Sequence, residues 1–537
     1  MDELRKNAEY ECSISGCTGE GLGVARIGGR AVFVHDALPG EDCHILILRV
    51  SRTAVYGKVL ERRSVSPHRI VPDCPHYGKC GGCDWRHTDY AGELLWKLQR
   101  VNDAFQRIGG LDLRAERIVP APSEERYRAK VIFAVGQDAN GKPVTGFYRA
   151  RSHEIIPVED CCLQHTDAGK AAKALRDWME NYRIPAWDEE KHRGLVKHLF
   201  VRSGMVCVVA AGRPLREKEL VTMLLEALPY TKSIVWNENR SEGNAVLSGN
   251  FRTLYGSDTV EVTLSGLKFR LSPRSFFQVN PAQAETLYAL AVEAARLTGA
   301  ETVIDLYCGA GAIGLLAAPK AKEVVGVEVV PSAVEDAAKT AALAGIRNAS
   351  FLCADAAEAA AQFAEEGWKP DVLFVDPPRK GLAPSVIGSI AEMSPQRVVY
   401  VSCDPGTLAR DLKLFAEKGY AAETAVAVDM FPRTRHVETV CLLVLRNPVT
   451  HVDIDVDVEE LVQGKRGQAT YEQIRDYVME QTGLHVTNLN IAQIKRKCGI
   501  IERENYNLPK SEDSKQPQCP PEKEAAIKEA LKHFGMI

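Results

Sequence analysis

The spacing of apolar residues divides the chain into stretches of different character. From Ile14 to about Arg63, apolar and polar residues alternate in short runs such as RAVFV and HILILRV, with turn signals at Gly28-Gly29 and Pro39-Gly40. Such strands predict a small closed β-barrel over residues 1–66. A loop rich in cysteine and glycine follows, then a mostly polar helix from Tyr90 to Ile108 and a mixed β region to about Leu264. Residues 67–265 are read as a central domain, with the stretch near 90–118 free to pack on the domain that follows. From Phe276 to Val444 the pattern becomes alternating strand and helix: TVIDLY, VVGVEV, ASFLCAD, DVLFVD, RVVYVSC, AVAVDM and TVCLLVLR, with helices such as PSAVEDAAKTAALAG between them. That order predicts an α/β fold over residues 266–447, a doubly wound parallel sheet with ligands at the carboxyl ends of its strands.

After Asn447 the acidic run HVDIDVDVEE reads as a linker or edge strand. Thr470 to Gln473 forms a capping box that opens a helix through Met479, and a turn at Gly483 leads to a second helix, LNIAQIKRKC. A polar, Pro-rich stretch from Ser511 to Pro521 connects to an amphipathic helix, EKEAAIKEALKHF. Residues 448–537 are therefore read as a small helical accessory module. Lys495-Arg496-Lys497 would suit a helix-turn-helix touching RNA, or simply a solvated face.

Composition narrows the class. The chain of 537 residues is 45% apolar and 26% charged, without an apolar run long enough to span a bilayer. MDELRKNAEYEC lacks the apolar core of a secretory signal, so a cytoplasmic protein is expected. The formal charge of −4 argues against bulk nucleic-acid binding. Basic strips still occur: Arg49, Arg52, Lys58, Arg62, Arg63 and Arg69 are opposed by Glu61 alone, and a second strip holds Arg126, Arg128, Lys130, Lys142, Arg149 and Arg151. Such strips suit a polyanion, as they suit solvated strands. The fifteen cysteines, an odd number, point to a reducing compartment where thiols act as metal ligands, nucleophiles or small core residues. Cys207, Cys353 and Cys441 lie in apolar runs and read as core.

The candidate chemistry lies at the strand ends. In VIDLYCGAGAIGL, Gly309, Gly311 and Gly314 match G-x-G-x-x-G, and Glu328 ends the next apolar run where a ribose-binding acid should stand. The pattern fits a nicotinamide dehydrogenase or another adenosine cofactor. Asp305, just ahead of the glycines, would repel a pyrophosphate seated on the loop. S-adenosylmethionine carries a sulfonium and an ammonium but no phosphate, and its ribose hydroxyls could donate to Glu328. Methyl transfer is thus favoured over hydride transfer. Asp355, Asp376-Pro-Pro-Arg-Lys-Gly and Ser402-Cys403-Asp404-Pro end the following strands and converge on the same crevice. Cys403 is the candidate nucleophile, and Glu438, in the last hairpin, the candidate base. Uracil C5 attacks a methyl sulfonium poorly; addition of a thiolate to C6 makes the ring an enolate with charge on C5, and a base must then remove the C5 proton. The target base must leave its stack to reach such a thiol.

YVSCDPGTL, DPPRKG, DMFPRTRHVE and FFQVN resemble the signatures of RNA uracil-C5 methyltransferases that use S-adenosylmethionine. Within that group the arrangement from Ile14 to Arg446 is similar to the 23S rRNA (uracil-5-)-methyltransferases. The resemblance implies a Rossmann-like methyltransferase domain and an N-terminal OB-like TRAM barrel that binds RNA, which GEGLGVA and its basic exit strand fit. It also implies that Gln278, Tyr307, Glu328 and Asp376 contact the cofactor, with Cys403 as nucleophile and Glu438 as base. Two positions depart from the family pattern: Asp404, where Asn is usual, and Arg433, where Gln, His or Tyr is usual. Asp404 places negative charge beside a thiol that must ionise. Tyr127-Arg128-Ala-Lys130 is similar to the family's Tyr-Arg-x-Lys element, a phosphate grip or an exposed strand start.

CPHYGKCGGCDWRH has the spacing C-x5-C-x2-C, and Gly81 and Gly82 would let backbone amides approach the sulfurs. Spacing alone allows an all-thiolate zinc site, a zinc site completed by His76 or His87, or a [4Fe–4S] cluster. The resemblance implies a [4Fe–4S] cluster on Cys74, Cys80, Cys83 and Cys161, with Cys162 as an extra thiol, shaping the central domain and its RNA surface. The expected partner is RNA, with 23S rRNA favoured because the related tRNA enzymes generally lack barrel and cluster. The alternatives are a tRNA T-loop uridine or an RNA-binding iron–sulfur protein without catalysis. No DNA or membrane partner is expected, and a monomer is favoured.

Overall fold

The computed structural model describes residues 4–446 apart from 242 and 244, and residues 469–537 apart from 499 and 501–518. The run HVDIDVDVEE and most of the Pro-rich stretch lie outside the described residues. Residues 1–448 form one compact unit and residues 449–537 a second.

The alternating N-terminal runs become the strands Glu9–Cys17, Gly23–Ile27, Arg30–His35, Asp42–Val50 and Val55–Arg62, closed into a barrel. Inward positions such as Ile14, Val32, Val34, Ile45 and Ile47 fill it, and closure leaves no free edge. The turn at Gly28-Gly29 takes positive φ at both residues, which glycine adopts without a Cβ clash.

The central region is a seven-stranded sheet running from Lys130–Gln137 to Asn250–Gly256. Helices Thr166–Asn181 and Glu217–Ala227 cover it, burying Leu175, Trp178, Leu220 and Leu224 against its strands. The expected boundary at residue 265 falls in the turn of the hairpin Val260–Leu264 and Leu267–Leu271. Leu264, Phe269 and Leu271 of that hairpin pack into the core of the following sheet.

That sheet has eight strands in the order Ala349–Cys353, Glu323–Glu328, Thr302–Leu306, Val372–Val375, Arg397–Ser402, Glu438–Leu445, Tyr420–Val428 and Ile118–Val119. Its strands are parallel except Glu438–Leu445, which is antiparallel to both neighbours. The last hairpin, expected from the sequence, supplies that antiparallel strand: the segment 429–437 is too short for a crossover, so the chain returns beside Tyr420–Val428. Buried side chains line both faces. Cys207 and Cys441 are buried, but Cys353 is exposed, because its strand is the sheet edge.

The helix after the cysteine loop is α-helical over Tyr90–Ala104 and ends in a π-helical turn, Phe105–Gly109. Val101 and Phe105 share a core with Leu408 and Leu412, and Ile118–Val119 pairs with Ala427 and Val428 at the sheet edge. The N-terminal half thus builds part of the layer formed by this sheet.

In the second unit, helices Tyr471–Thr482, Asn488–Lys497 and Pro521–His533 bury Ile474, Val478, Ile491, Ile494, Ile527 and Leu531 together. Thr470 and Gln473 form the capping box. Lys495-Arg496-Lys497 is not one exposed basic face. Lys495 is only 6% exposed, its ammonium 4.3 Å from the Tyr471 ring centre, and Lys497 pairs with Glu524 at 2.7 Å. Among the described residues no helix is long and apolar enough to cross a membrane.

Candidate active site

The site is built from strand ends. Asp305, buried near the end of its strand, accepts a hydrogen bond from the Gly314 N–H through Oδ2 at 2.9 Å, tying the strand to the helix after the glycine loop. Tyr307, Gly309 and Gly311 all have positive φ, at 64, 57 and 78°. A Cβ on Gly311 would meet the Phe351 ring at 2.8 Å, so only glycine fits that turn. Glu328 braces the loop, accepting from the Gly309 N–H at 3.0 Å through one oxygen and from the Val330 N–H at 2.9 Å through the other. Beside it Val329 is 59% exposed, an apolar surface the sequence did not announce.

Cys403 and Glu438 come together through strand register. Ser402 pairs with Thr439, so one step further along each strand Cys403 stands across from Glu438. Burial, then the charges of Glu438 and Asp376, push the Cys403 thiol up to about 11, while Arg379 pulls the other way. Burial and then Asp376 raise Glu438 to about 8, again opposed by Arg379. Burial raises Asp376 to about 7. Asp305 reaches about 7, with burial first and the charges of Asp376 and Glu328 added against the Gly314 bond. Cys403, Glu438, Asp376, Asp305 and Glu328 therefore gather near Arg379, whose Nη2 lies 3.4 Å from His436 Nε2. Gln278 hydrogen-bonds the Tyr288 hydroxyl, which itself senses Asp376, Glu438 and Asp305. Tyr307 packs on the core containing Leu382 and Leu408, and its hydroxyl senses Asp355 and Asp411.

Among the described residues, acidic groups outnumber the cations acting on this pocket. Asp305 Oδ1 is buried without a hydrogen-bond partner. A pyrophosphate would add repulsion to carboxylates already raised by one another, whereas a cationic ligand would relieve it. The donor set fits the sulfonium-bearing cofactor expected from the sequence and disfavours a dinucleotide.

The two departures find local partners. Asp404 caps the helix Pro405–Glu417, accepting from the Gly406 and Thr407 N–H groups at 2.9 Å each. Its charge is thereby directed at the helix N-terminus. Arg433, at φ 68°, donates to the Thr88 carbonyl at 2.8 Å and pairs with Glu124. Tyr127-Arg128 is neither a free phosphate grip nor an exposed strand start. Tyr127 is buried, its hydroxyl donating to the Pro432 carbonyl at 2.9 Å, and Arg128 faces the cysteine loop. Lys130 lies with its ammonium 5.6 Å from the Phe276 ring centre.

Cys74, Cys80, Cys83, Cys161 and Cys162 line a single cavity, with Arg86 and Arg128 on its wall. The Gly82 N–H donates to the Cys80 sulfur and the Leu163 N–H to that of Cys161. His76 also faces the cavity; His87 instead bonds the Tyr77 hydroxyl at 2.5 Å, and burial lowers it to about 4. Among the described residues, no group of three or more His, Cys, Asp or Glu side chains is placed to hold a metal ion.

Comparison with known proteins agrees with this chemistry. Residues 239–446 match the family model described as tRNA (Uracil-5-)-methyltransferase. The chain is 40% identical over 452 residues to an uncharacterized RNA methyltransferase of Halalkalibacterium halodurans, covering 83% of this chain and 98% of that protein. It is 39% identical to one of Clostridium tetani, covering 82% of this chain and 97% of that one. Among solved structures, the Pyrococcus abyssi tRNA (uracil-54, C5)-methyltransferase in complex with S-adenosyl-L-homocysteine matches with a TM-score of 0.65 and 27% identity, covering 81% of this chain and 99% of that one. The protein belongs to the family of S-adenosylmethionine-dependent RNA (uracil-5-)-methyltransferases.

Proposed function

We propose that this enzyme methylates C5 of a uridine in large-subunit rRNA, with Cys403 as nucleophile and Glu438 as base. The observation that carries the chemistry is the placement of a half-buried thiol across from a buried carboxyl at the ends of two adjacent strands. The Cys403 thiolate adds to C6 of a uracil in the crevice, and the ring's electron pair moves to C5 as an enolate. Bound S-adenosylmethionine supplies a methyl group on a sulfonium. Gln278, Tyr307, Glu328 and Asp376 would hold that cofactor, with Val329 as an apolar platform for its adenine. Once C5 carries the methyl group, Glu438 takes the C5 proton, the double bond re-forms and the C6–S bond breaks. Arg379 is the cation that acts on both groups, and it favours the thiolate that must form.

The cysteine cavity is read as the place of a [4Fe–4S] cluster that Cys74, Cys80, Cys83 and Cys161 would hold, a reading supported by their lining one cavity. Such a cluster takes one thiolate per iron, so its ligands surround a cavity instead of meeting at one ion. Arg86 supports the reading: only 2% exposed, it lines the cavity as a cation, pairing with Asp73 and hydrogen-bonding Cys83, which suits an anionic cluster. Methyl transfer is redox-neutral, so such a cluster would serve to tie the 74–83 loop to Cys161.

The rRNA assignment rests on the motif resemblance over residues 14–446. A tRNA uridine is the second reading, favoured by the Pyrococcus abyssi enzyme, which acts on tRNA yet matches 81% of this chain. Mass spectrometry of 5-methyluridine in separated rRNA and tRNA from cells lacking the protein decides between them. Loss from large-subunit rRNA is expected; loss from tRNA alone overturns the substrate and keeps the chemistry.

A further inference from the structure

The segment that leads into Glu438 is held by the N-terminal half of the chain. Lys97 Nζ donates to Asp429 Oδ1 at 2.7 Å and to the Phe431 carbonyl at 3.1 Å. The Tyr90 hydroxyl donates to Asp429 Oδ2 at 2.7 Å, and the Arg433 N–H to Glu93 at 2.7 Å. The Asp84 N–H donates to the Arg433 carbonyl at 2.9 Å, and its carboxylate accepts from the Arg435 N–H at 2.9 Å. Arg100 donates to the Arg435 carbonyl at 2.6 Å.

At the centre is a buried ionic network. Lys97 is 2% exposed, and its partners Glu93 and Asp429 are each fully buried. Buried ion pairs stabilise little compared with apolar residues of the same shape, so their presence calls for a geometric reason. The geometry supplies one: Val428 pairs directly with Glu438, and Asp429 is the next residue along. Whatever fixes Asp429 and Phe431 fixes the entry to the strand that begins with the base.

We infer that Lys97 is a positioning residue for Glu438. Through Asp429 and the Phe431 carbonyl it sets where the carboxylate stands when the C5 proton is removed. The inference rests on the roles proposed above for Cys403 and Glu438. It separates two steps, because a displaced base slows proton removal while addition of Cys403 and methyl transfer continue. Enzyme should then pile up as a methylated covalent adduct with RNA.

The test uses the full chain, labelled S-adenosylmethionine and total RNA from a strain lacking the protein. Lys97→Met/Glu93→Gln removes one charge of each sign, so the buried region stays balanced, and Lys97→Arg is the conservative comparison. The double variant is expected to lose at least about tenfold in turnover, the scale on which small misplacements act. Its KM for RNA should hold within about twofold, and labelled protein–RNA adduct should appear on denaturing gels. Lys97→Arg should recover most of the turnover. Turnover and adduct falling together, or unchanged turnover, overturns the inference. If the double variant fails to fold, Tyr90→Phe, which removes one bond to Asp429, should show a smaller build-up of adduct, and its absence overturns the inference equally. Glu438→Gln serves as control: without adduct there, the catalytic reading fails and takes this inference with it. With adduct there and none in the Lys97 variants, only the positioning role fails.

Discussion

Cys403 and Glu438 stand across from each other at the ends of neighbouring antiparallel strands, and Asp376 raises the proton affinity of both. At neutral pH the thiol, near 11, and the carboxyl, near 8, are both largely protonated in the absence of ligands. A base acts as its anion, so the fraction of Glu438 able to accept the C5 proton grows through its pKa. The kcat/KM for RNA, which reports the free enzyme, should therefore rise from about pH 7 to about pH 9. A profile that is flat or falls over this range contradicts the assignment.

The same acids make stability depend on pH. Asp305 and Asp376, near 7, and Glu438, near 8, lie above their ordinary values of 3.8 and 4.5. The folded protein binds more protons than the unfolded chain across that interval, so their contribution is complete below about pH 4 and is lost as pH rises to about 8. A cationic cofactor favours the ionised carboxylates. The rise in melting midpoint on adding S-adenosylmethionine should thus be larger at pH 8 than at pH 6, as scanning calorimetry would read. Equal rises would remove the carboxylates from the cofactor site.

Asp404 looks out of place by sequence and is at home in the structure. As a helix cap it should be replaceable by Asn with a stability change of only a few tenths of a kcal/mol, whereas Asp404→Ala should cost about 1 kcal/mol. Because its charge is spent on the helix, Asp404→Asn should leave the pH at which Cys403 is alkylated nearly unchanged. A clear fall in that pH would show that Asp404 suppresses the thiolate after all.

The cysteine cavity holds more thiols than a four-iron cluster takes. Cys161→Ser should lose iron and the visible absorption of the anaerobically purified protein, whereas Cys162→Ser should keep both. The reverse result would exchange the two residues, and full iron content in both variants would show that either can serve.

Much of this could be read from the chain because the chemistry is local. The strand-loop-helix around Gly309 and Gly311 needs glycine where φ is positive, and Asp305, Glu328, Asp376 and Cys403 each follow an apolar run that announces a strand end. What escaped depends on the assembled fold. Cys353 sits in an apolar run yet is exposed, because nothing in that run says its strand is the sheet edge. Lys495 reads as solvated in the sequence, yet its ammonium lies over the Tyr471 ring. Lys97 and Asp429 are 332 residues apart, and neither carries a motif that points to the other. Arg379 was visible within DPPRKG, but its effect on both Cys403 and Glu438 required three strand ends in their places.

The proposed chemistry turns on a covalent bond between Cys403 and the base being methylated. Peptide mass spectrometry of Glu438→Gln after incubation with RNA and S-adenosylmethionine measures it directly. The predicted result is a methylated uridine attached to the peptide containing Cys403, absent when Cys403→Ala is added. Recovery of unmodified Cys403 alone, or turnover surviving in Cys403→Ala, would contradict it.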